Sequence, residues 1–120
     1  MGQSVLVVDD ERFIVELIAD ILQDEGFDVD RAYDGLQAEL AIERSPPDLV
    51  IADVMMPKMD GLSLARRLGK RSDRIPILLM SAVRRPIDPD IPFLAKPFDV
   101  ADLIEKVHVL TNHNGAAVPA

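Results

Sequence analysis

The sequence has no cysteine and no long apolar run, and its acidic residues outnumber its basic ones. Without thiols, disulfide bonds and cysteine-ligated zinc or iron–sulfur sites are excluded. The longest apolar stretches, at 5–8 and 75–80, are far shorter than the ~20 residues that span a bilayer. No basic and apolar leader precedes the first stretch. These absences predict a cytoplasmic protein that makes no contact with a membrane.

The chain is strongly acidic. There are 13 Lys and Arg residues against 21 Asp and Glu, for a formal net charge of −8. Because such a chain repels a phosphate backbone, we expect no direct binding of nucleic acid. One basic cluster, formed by Arg66, Arg67, Lys70, Arg71 and Arg74, is interpreted as a solvated helix face rather than a binding patch.

Strand-like and helix-like patterns alternate along the 120 residues. Short apolar runs at 5–8, 49–52, 77–80 and 93–95 predict buried strands, and 28–32 predicts a charged edge strand. Helical patterns lie between them, the first as a stripe of Phe13, Ile14, Leu17, Ile18, Ile21 and Leu22. This alternation predicts a parallel sheet with helices on both faces. We expect one domain over 1–111 and a flexible tail over 112–120.

The alternation breaks between the fourth and fifth strands, where a helix is due. Pro86, Pro89 and Pro92 fall within seven residues there. Proline removes a backbone donor and clashes with helical geometry. The sequence therefore predicts that the fourth helix is shortened or missing across 83–92.

Three carboxylates directly follow strands. Asp9 and Asp10 follow the first strand, and Asp53 follows the third. If these strands are neighbours, the carboxylates converge at the edge of the sheet where ligands bind. A lone aspartate at such a place is usually a helix cap or a turn residue, but three together repel one another and favour a bound cation. An oxygen-only site suits Mg²⁺.

Two further residues fall at the same edge. Ser81 ends the fourth strand and offers a hydroxyl, and Lys96 follows the fifth strand and offers a compact positive charge. Each alone is most often a surface residue. Together with the three carboxylates they supply an acceptor, metal ligands, a donor and a cation, which are the groups that phosphoryl transfer requires.

Four sequence blocks resemble the signature of two-component response-regulator receiver domains. They are VLVVDDE ending at Glu11, DVMMPKMDG from Asp53 to Gly61, Ser81-Ala82, and Lys96-Pro97-Phe98. The resemblance runs from about residue 4 to residue 110, with the blocks in the family's order. It implies a flavodoxin-like (βα)5 fold, a three-layer α/β sandwich with strand order 2-1-3-4-5.

The resemblance also implies roles for the carboxylates. Asp53 would accept a phosphoryl group from a phosphohistidine and form an acyl phosphate. Asp10 would bind Mg²⁺, or Mn²⁺ in its place, directly, and Asp9 mainly through water. Asp53 and the backbone carbonyl of Met55 would complete the protein ligands.

Other matched positions imply recognition and switching. Ser81 would donate a hydrogen bond to the phosphoryl oxygen, and Lys96 would pair with it. Phe93 matches the aromatic that fills the space Ser81 vacates, although core packing explains it equally well. The Lys96–Pro97 bond matches a cis peptide of the family.

The residues that follow Asp53 and Ser81 match the family at some positions and differ from it at others. Pro57 and Gly61 would shape this loop. Met55 and Val83, two residues beyond Asp53 and Ser81, are apolar where relatives can carry groups that orient the hydrolytic water. We therefore expect a long-lived acyl phosphate.

The implied function is a switch rather than an enzyme, because the chain would catalyse only its own phosphorylation and dephosphorylation. Its partners would be a histidine kinase or a phosphotransfer protein and a downstream target that the sequence does not identify, with a homodimer as a further option. An aspartyl phosphatase and a phosphorylation-independent pseudo-receiver are the alternatives. The phosphatase is disfavoured because Met55 stands where such enzymes carry an acid, and the complete residue set disfavours the pseudo-receiver. A flavin module is disfavoured because acids, not a phosphate loop, follow the first strand.

Overall fold

The computed structural model describes residues 3–56, 58–83 and 88–115, with backbone alone for 112–115. The described strands are β1 (Ser4–Val8), β2 (Asp28–Ala32), β3 (Leu49–Asp53), β4 (Ile77–Ser81) and β5 (Phe93–Ala95). The described helices are α1 (Arg12–Asp24), α2 (Gly35–Arg44), α3 (Gly61–Gly69) and α4 (Val100–Gly115). All five predicted strands are therefore confirmed.

The strands form one parallel sheet in the order β2-β1-β3-β4-β5. β1 lies beside β3 with Val8 opposite Ala52, so the residues that follow these strands emerge side by side. The predicted strand order is confirmed, as is the position of the charged strand β2 at an edge of the sheet.

Two apolar clusters cover the two faces of the sheet. Because side chains alternate along a strand, Leu6 and Val8 pack with α2 and α3, whereas Val5 and Val7 pack with α1 and α4. Each face is buried beneath helices, which explains why the central strands are continuously apolar rather than alternating. The predicted three-layer sandwich is confirmed.

The predicted core stripe of α1 was partly wrong. Phe13 is 75% exposed and Leu17 is 38% exposed, whereas Val15 and Ala19 are fully buried. The helix carries apolar residues on more than one face, so their spacing alone did not identify which face packs against the sheet. Its end is as predicted, since Gly26 has a φ of +96° and donates to the Gln23 carbonyl at 3.0 Å.

No helix lies between β4 and β5 in the described residues 82–83 and 88–92. The Ile91 amide donates to the carbonyl of Asp88 at 3.1 Å, and the Asp90 amide donates to the Asp88 carboxylate at 2.9 Å, so 88–91 is a turn. Residues 84–87, including Pro86, lie outside the described part of the chain. The described fold therefore has four helices, as the prolines predicted.

The last helix begins as its sequence indicates. The side chain of Asp99 accepts a 3.0 Å hydrogen bond from the amide of Ala101, so it caps α4. The backbone of α4 continues to Gly115, and residues 116–120 lie outside the described range. The division into a domain over 1–111 and a tail over 112–120 remains a prediction.

Within the described residues, no helix combines the length and the apolar character that crossing a membrane requires. The cytoplasmic location remains a prediction.

Candidate functional site

The three predicted carboxylates converge at the carboxyl ends of β1 and β3. One oxygen from each of Asp9, Asp10 and Asp53 lies within 4.8 Å of the other two. Asp9 and Asp53 are buried and Asp10 is exposed, so the crevice opens to solvent on one side. Asp9 is fixed further, because its side chain accepts a 3.0 Å hydrogen bond from the amide of Glu11. The adjacency of β1 and β3 creates this crevice.

Lys96 extends into the crevice from the end of β5. Its Nζ lies 2.8 Å from Asp9 Oδ2, 3.6 Å from Asp53 Oδ2 and 3.8 Å from Glu11 Oε1. Burial works to lower the pKa of Lys96, but its hydrogen bond to Asp9 and the nearby carboxylates outweigh burial and raise it. Its ammonium is therefore shared among three acids and bonded most closely to Asp9. The Lys96–Pro97 peptide is cis, as expected.

Asp53 ends β3 inside the crevice and is only slightly exposed. Its pKa is raised above the ordinary value, mainly because burial disfavours the charged form. The Lys96 charge acts in the opposite direction and the Asp9 charge adds to the rise. Without a cation, Asp53 is therefore held in an environment unfavourable to its ionised form.

Ser81 ends β4, the strand next to β3, and is buried. Its hydroxyl oxygen accepts a 3.0 Å hydrogen bond from the amide of Val83. A hydroxyl that accepts one hydrogen bond keeps its own proton to donate. The backbone carbonyl of Ser81 accepts a 2.8 Å hydrogen bond from the Lys96 amide, which ties the β4 and β5 ends together.

The loop after Asp53 returns to it tightly. The Gly61 amide donates to the Val54 carbonyl at 2.9 Å, closing the loop at its base. A Cβ at Gly61 would lie 2.4 Å from the backbone oxygen of Asp53, so only glycine fits there. Asp60 caps α3 by accepting a 2.7 Å hydrogen bond from the Ser63 amide. Gly61 therefore lies where the close return of the loop requires glycine. Pro57, the other residue predicted to shape this loop, lies outside the described residues.

Two other predicted positions are Met55 and Phe93. Met55 is 75% exposed and its side chain faces solvent, but its backbone amide donates a hydrogen bond to the Asp53 carboxylate, so its backbone lies at the crevice. Phe93 is half-buried at the start of β5 and lines a groove against Val109 and Leu110 of α4. Its role in switching remains a prediction.

Sequence reasoning missed Asp34 and Lys58. Asp34 precedes α2 and accepts a 2.8 Å hydrogen bond from the Gln37 amide, and Lys58 Nζ lies 3.4 Å from its other carboxylate oxygen. An aspartate followed by a glycine at the start of a helix indicates a cap, but nothing in the sequence indicates that a lysine 24 positions later reaches it.

The response regulator receiver domain family model matches residues 5–108. The chain belongs to this family. Among curated relatives, the alkaline phosphatase synthesis transcriptional regulatory protein PhoP of Bacillus subtilis is 32% identical and is matched over 53% of its length by all of this chain. The DNA-binding dual master transcriptional regulator RpaA of Synechocystis is 33% identical, with 88% of this chain covering 48% of that protein.

Solved receiver structures have the same fold. The Francisella response regulator 1452 receiver domain aligns with a TM-score of 0.85 at 31% identity, covering 93% of this chain and 98% of that one. The chemotaxis response regulator CheY4 of Vibrio cholerae aligns with a TM-score of 0.84 at 28% identity, covering 92% and 99%. The flavodoxin-like fold and the identity as a two-component receiver domain are therefore confirmed.

The comparisons also bear on partners. The chain spans about half the length of the curated relatives it matches. One of these is named as DNA-binding, so the expectation that this protein has no contact with nucleic acid has no support from its relatives. Receiver domains interact with histidine kinases or phosphotransfer proteins, which agrees with the coarse partner expectation.

Proposed function

We propose that this receiver domain is a switch that is phosphorylated on Asp53. An oxygen of the Asp53 carboxylate attacks the phosphorus of a phosphohistidine on a kinase or phosphotransfer protein. The phosphorus–nitrogen bond breaks, and its electron pair goes to the imidazole nitrogen, which takes a proton from solvent. The observation that carries the proposal is the approach of three carboxylates to within 4.8 Å of one another, with the Lys96 ammonium against two of them, Asp9 and Asp53.

The donor set fits a hard divalent cation. Asp9, Asp10 and Asp53 offer oxygen ligands alone, and the exposed side of the crevice leaves room for waters, as Mg²⁺ prefers. We propose that these residues and the Met55 carbonyl hold Mg²⁺, with Mn²⁺ as a substitute. When bound, the ion supplies charge neutralisation for the phosphoryl oxygens.

Lys96 and Ser81 act on the phosphoryl group. The ammonium lies 3.6 Å from Asp53, close enough to pair with an oxygen of a phosphoryl group attached there. Ser81 donates its free hydroxyl proton to another oxygen, while its own oxygen still accepts from the Val83 amide. Ser81 would thereby connect the phosphoryl group to the segment after β4.

The downstream response is a change in partner binding rather than turnover of a substrate. We propose that the domain catalyses only its own phosphorylation and dephosphorylation. Since the described residues 82–83 and 88–92 form no helix, the surface beside β5 differs from that of relatives with a full fourth helix. We propose that output or dimerisation differs accordingly. Sedimentation of the phosphorylated and unphosphorylated forms tests whether a homodimer forms.

Incubation with acetyl phosphate and Mg²⁺ followed by intact-mass measurement tests the phosphorylation. We expect one phosphoryl increment for the wild type and for Asp20→Asn, an exposed aspartate on α1. We expect none for Asp53→Ala, and none for the wild type in EDTA. An increment that persists in Asp53→Ala, or no increment in the wild type, overturns the proposal.

A further inference from the structure

Lys58 has an unusual backbone conformation for a lysine. Its φ is +73°, in the left-handed region that is unfavourable for residues with a side chain. It lies in the loop between β3 and α3, where glycine or asparagine would fit with less strain. A strained residue is maintained only where its surroundings hold it there.

The side chain of Lys58 supplies such a contact. Its Nζ lies 3.4 Å from Oδ2 of Asp34, at the start of α2. The other oxygen of Asp34 accepts a 2.8 Å hydrogen bond from the Gln37 amide. This hydrogen bond is the main reason that the pKa of Asp34 is lowered, with the Lys58 charge adding to it against the effect of burial. The carboxylate is therefore ionised at neutral pH, and the start of α2 holds one of its oxygens while Lys58 pairs with the other.

A second contact joins the same two segments. A Cβ built on Gly35 would lie 2.3 Å from the Cβ of Met59 and 2.7 Å from its carbonyl oxygen. Real Cβ atoms are not found so close to other heavy atoms. The loop therefore packs directly on the backbone at the start of α2, and Gly35 makes this approach possible.

The loop held in this way carries a proposed ligand of the cation. Its base is closed by the Gly61 amide on the Val54 carbonyl at 2.9 Å. Its far side is held by Lys58 on Asp34. Met55 lies between these two attachments in the chain, so both restrict the movement of its backbone carbonyl.

We propose that Lys58 is a positioning residue for the divalent cation. Through its ion pair with Asp34 it restricts the loop that carries the Met55 carbonyl, and thereby it increases the affinity of the crevice for Mg²⁺. The inference rests on the proposed function of this site. It adds an element that the five matched residues of the crevice do not include.

Calorimetric titration of metal-free protein with MgCl₂ measures the effect. Because the lysine side chain is 59% exposed, we expect Lys58→Met to weaken Mg²⁺ binding by about two- to fivefold. Lys58→Arg keeps the charge and should restore most of the affinity. Lys70→Met, an exposed lysine at the end of α3, is the control and should leave the affinity unchanged. A Lys58→Met affinity equal to that of Lys70→Met overturns the inference.

Lys58→Gly separates positioning from stability. Glycine relieves the strain at φ +73° but removes the ammonium. We expect its urea midpoint to equal or exceed that of the wild type, while its Mg²⁺ affinity falls as in Lys58→Met. An unchanged Mg²⁺ affinity would mean that the lysine is only structural, which contradicts the inference.

The pairing itself is tested by a double-mutant cycle. Asp34→Asn keeps the oxygen that caps α2 and removes the charge. We expect it to weaken Mg²⁺ binding, and we expect Lys58→Met to add nothing in its background. Additive losses overturn the pairing. If the wild type binds no Mg²⁺ and is not phosphorylated, the proposed function fails. If the wild type does both and the Lys58 variants bind Mg²⁺ as tightly as the wild type, only this inference fails.

Discussion

Lys96 donates a 2.8 Å hydrogen bond to the carboxylate of Asp9, which is fully buried. Asp53, the proposed acceptor, lies farther from the ammonium, at 3.6 Å. In the unphosphorylated domain the lysine therefore neutralises the buried acid first, and Asp53 keeps an oxygen that is not committed to a close ion pair.

Replacing this lysine should be costly. Lys96→Met leaves Asp9 buried without its closest positive charge, so we expect the free energy of unfolding to fall by about 2–4 kcal/mol at pH 7. Lys106→Met, which breaks an i,i+4 pair with Asp102, should cost about 0.5 kcal/mol or less. Urea unfolding in EDTA measures both, and equal losses would contradict the expectation.

The contribution of Lys96 also has a defined pH range. Its pKa in the folded state is raised above the ordinary value of 10.5. The unfolded chain therefore loses this proton first as the pH rises. The stabilisation is complete below pH 10.5 and is lost as the pH rises through the folded pKa. Unfolding curves between pH 9 and 12 should show this decline in the wild type and not at Lys96→Met.

Asp53→Asn should stabilise the metal-free domain. Because burial raises the pKa of Asp53, ionising it costs free energy that asparagine avoids. We expect a gain of about 1 kcal/mol in EDTA at pH 7. Saturating Mg²⁺ should reverse the order, since the ion stabilises the wild type through a ligand that asparagine weakens. Asp20→Asn should show neither effect in the same urea titration.

The stability that Asp53→Asn gains over the wild type should increase as the pH rises. Between the ordinary pKa of 3.8 and the raised folded value, the folded wild type binds more protons than the unfolded chain. Wild-type stability therefore decreases as the pH rises through this range and then levels off. The advantage of asparagine should vanish below pH 3.8 and be complete above the folded pKa. An advantage that grows towards acid pH would refute this origin.

Gly61→Ala should damage both the fold and the chemistry. The new methyl group would lie 2.4 Å from the Asp53 carbonyl oxygen and 3.0 Å from Leu79, so the backbone beside the acceptor must move. We expect a loss of about 2 kcal/mol or more in the free energy of unfolding and slower labelling by acetyl phosphate.

Gly69→Ala is the matched control in the same helix. No atom lies within 4 Å of the added Cβ, so we expect unchanged labelling and a gain of about 0.5 kcal/mol from reduced freedom of the unfolded chain. Equal behaviour of the two variants would contradict the steric explanation for Gly61.

The acyl phosphate should be long-lived. Met55 and Val83 are exposed, at 75% and 51%, but neither side chain can orient an attacking water by a hydrogen bond. We expect a half-life on the order of minutes or longer, and a shortening of about tenfold in Met55→Gln. Leu40→Gln, at another exposed apolar position, should change nothing. Intact mass after removal of acetyl phosphate gives the rate, and a half-life of seconds in the wild type would refute the prediction.

The strands and the acids at their ends could be predicted from the sequence. Runs such as 49–52 are apolar on both faces because helices cover both sides of the sheet. Once β1 and β3 are neighbours, Asp9 and Asp53 must emerge together, because parallel strands end at one edge. The strand order itself came from the family resemblance, since periodicity does not specify which strands pair.

Contacts between loops could not be predicted in this way. The preference of Lys96 for Asp9 over Asp53 depends on distances that differ by less than an ångström. The pairing of Lys58 with Asp34 depends on a left-handed backbone turn that lysine rarely adopts. The exposure of Phe13 depends on which face of an apolar helix meets the sheet. These features are set by tertiary packing rather than by local pattern.

The charge balance of the crevice has a thermodynamic consequence. Asp9, Asp53 and Glu11 lie against the Lys96 ammonium and Asp10 lies beside the first two, so the acids outnumber the base. On the proposed function, a divalent cation offsets most of the excess negative charge and a phosphoryl group adds to it again. The two bindings are then linked, and the factor by which phosphorylation tightens the cation equals the factor by which the cation favours the phosphorylated form. On the proposed function, the phosphorylated fraction would therefore depend jointly on the phosphoryl donor and on the free cation concentration. The ratio of the cation affinities of the two forms measures the strength of that coupling.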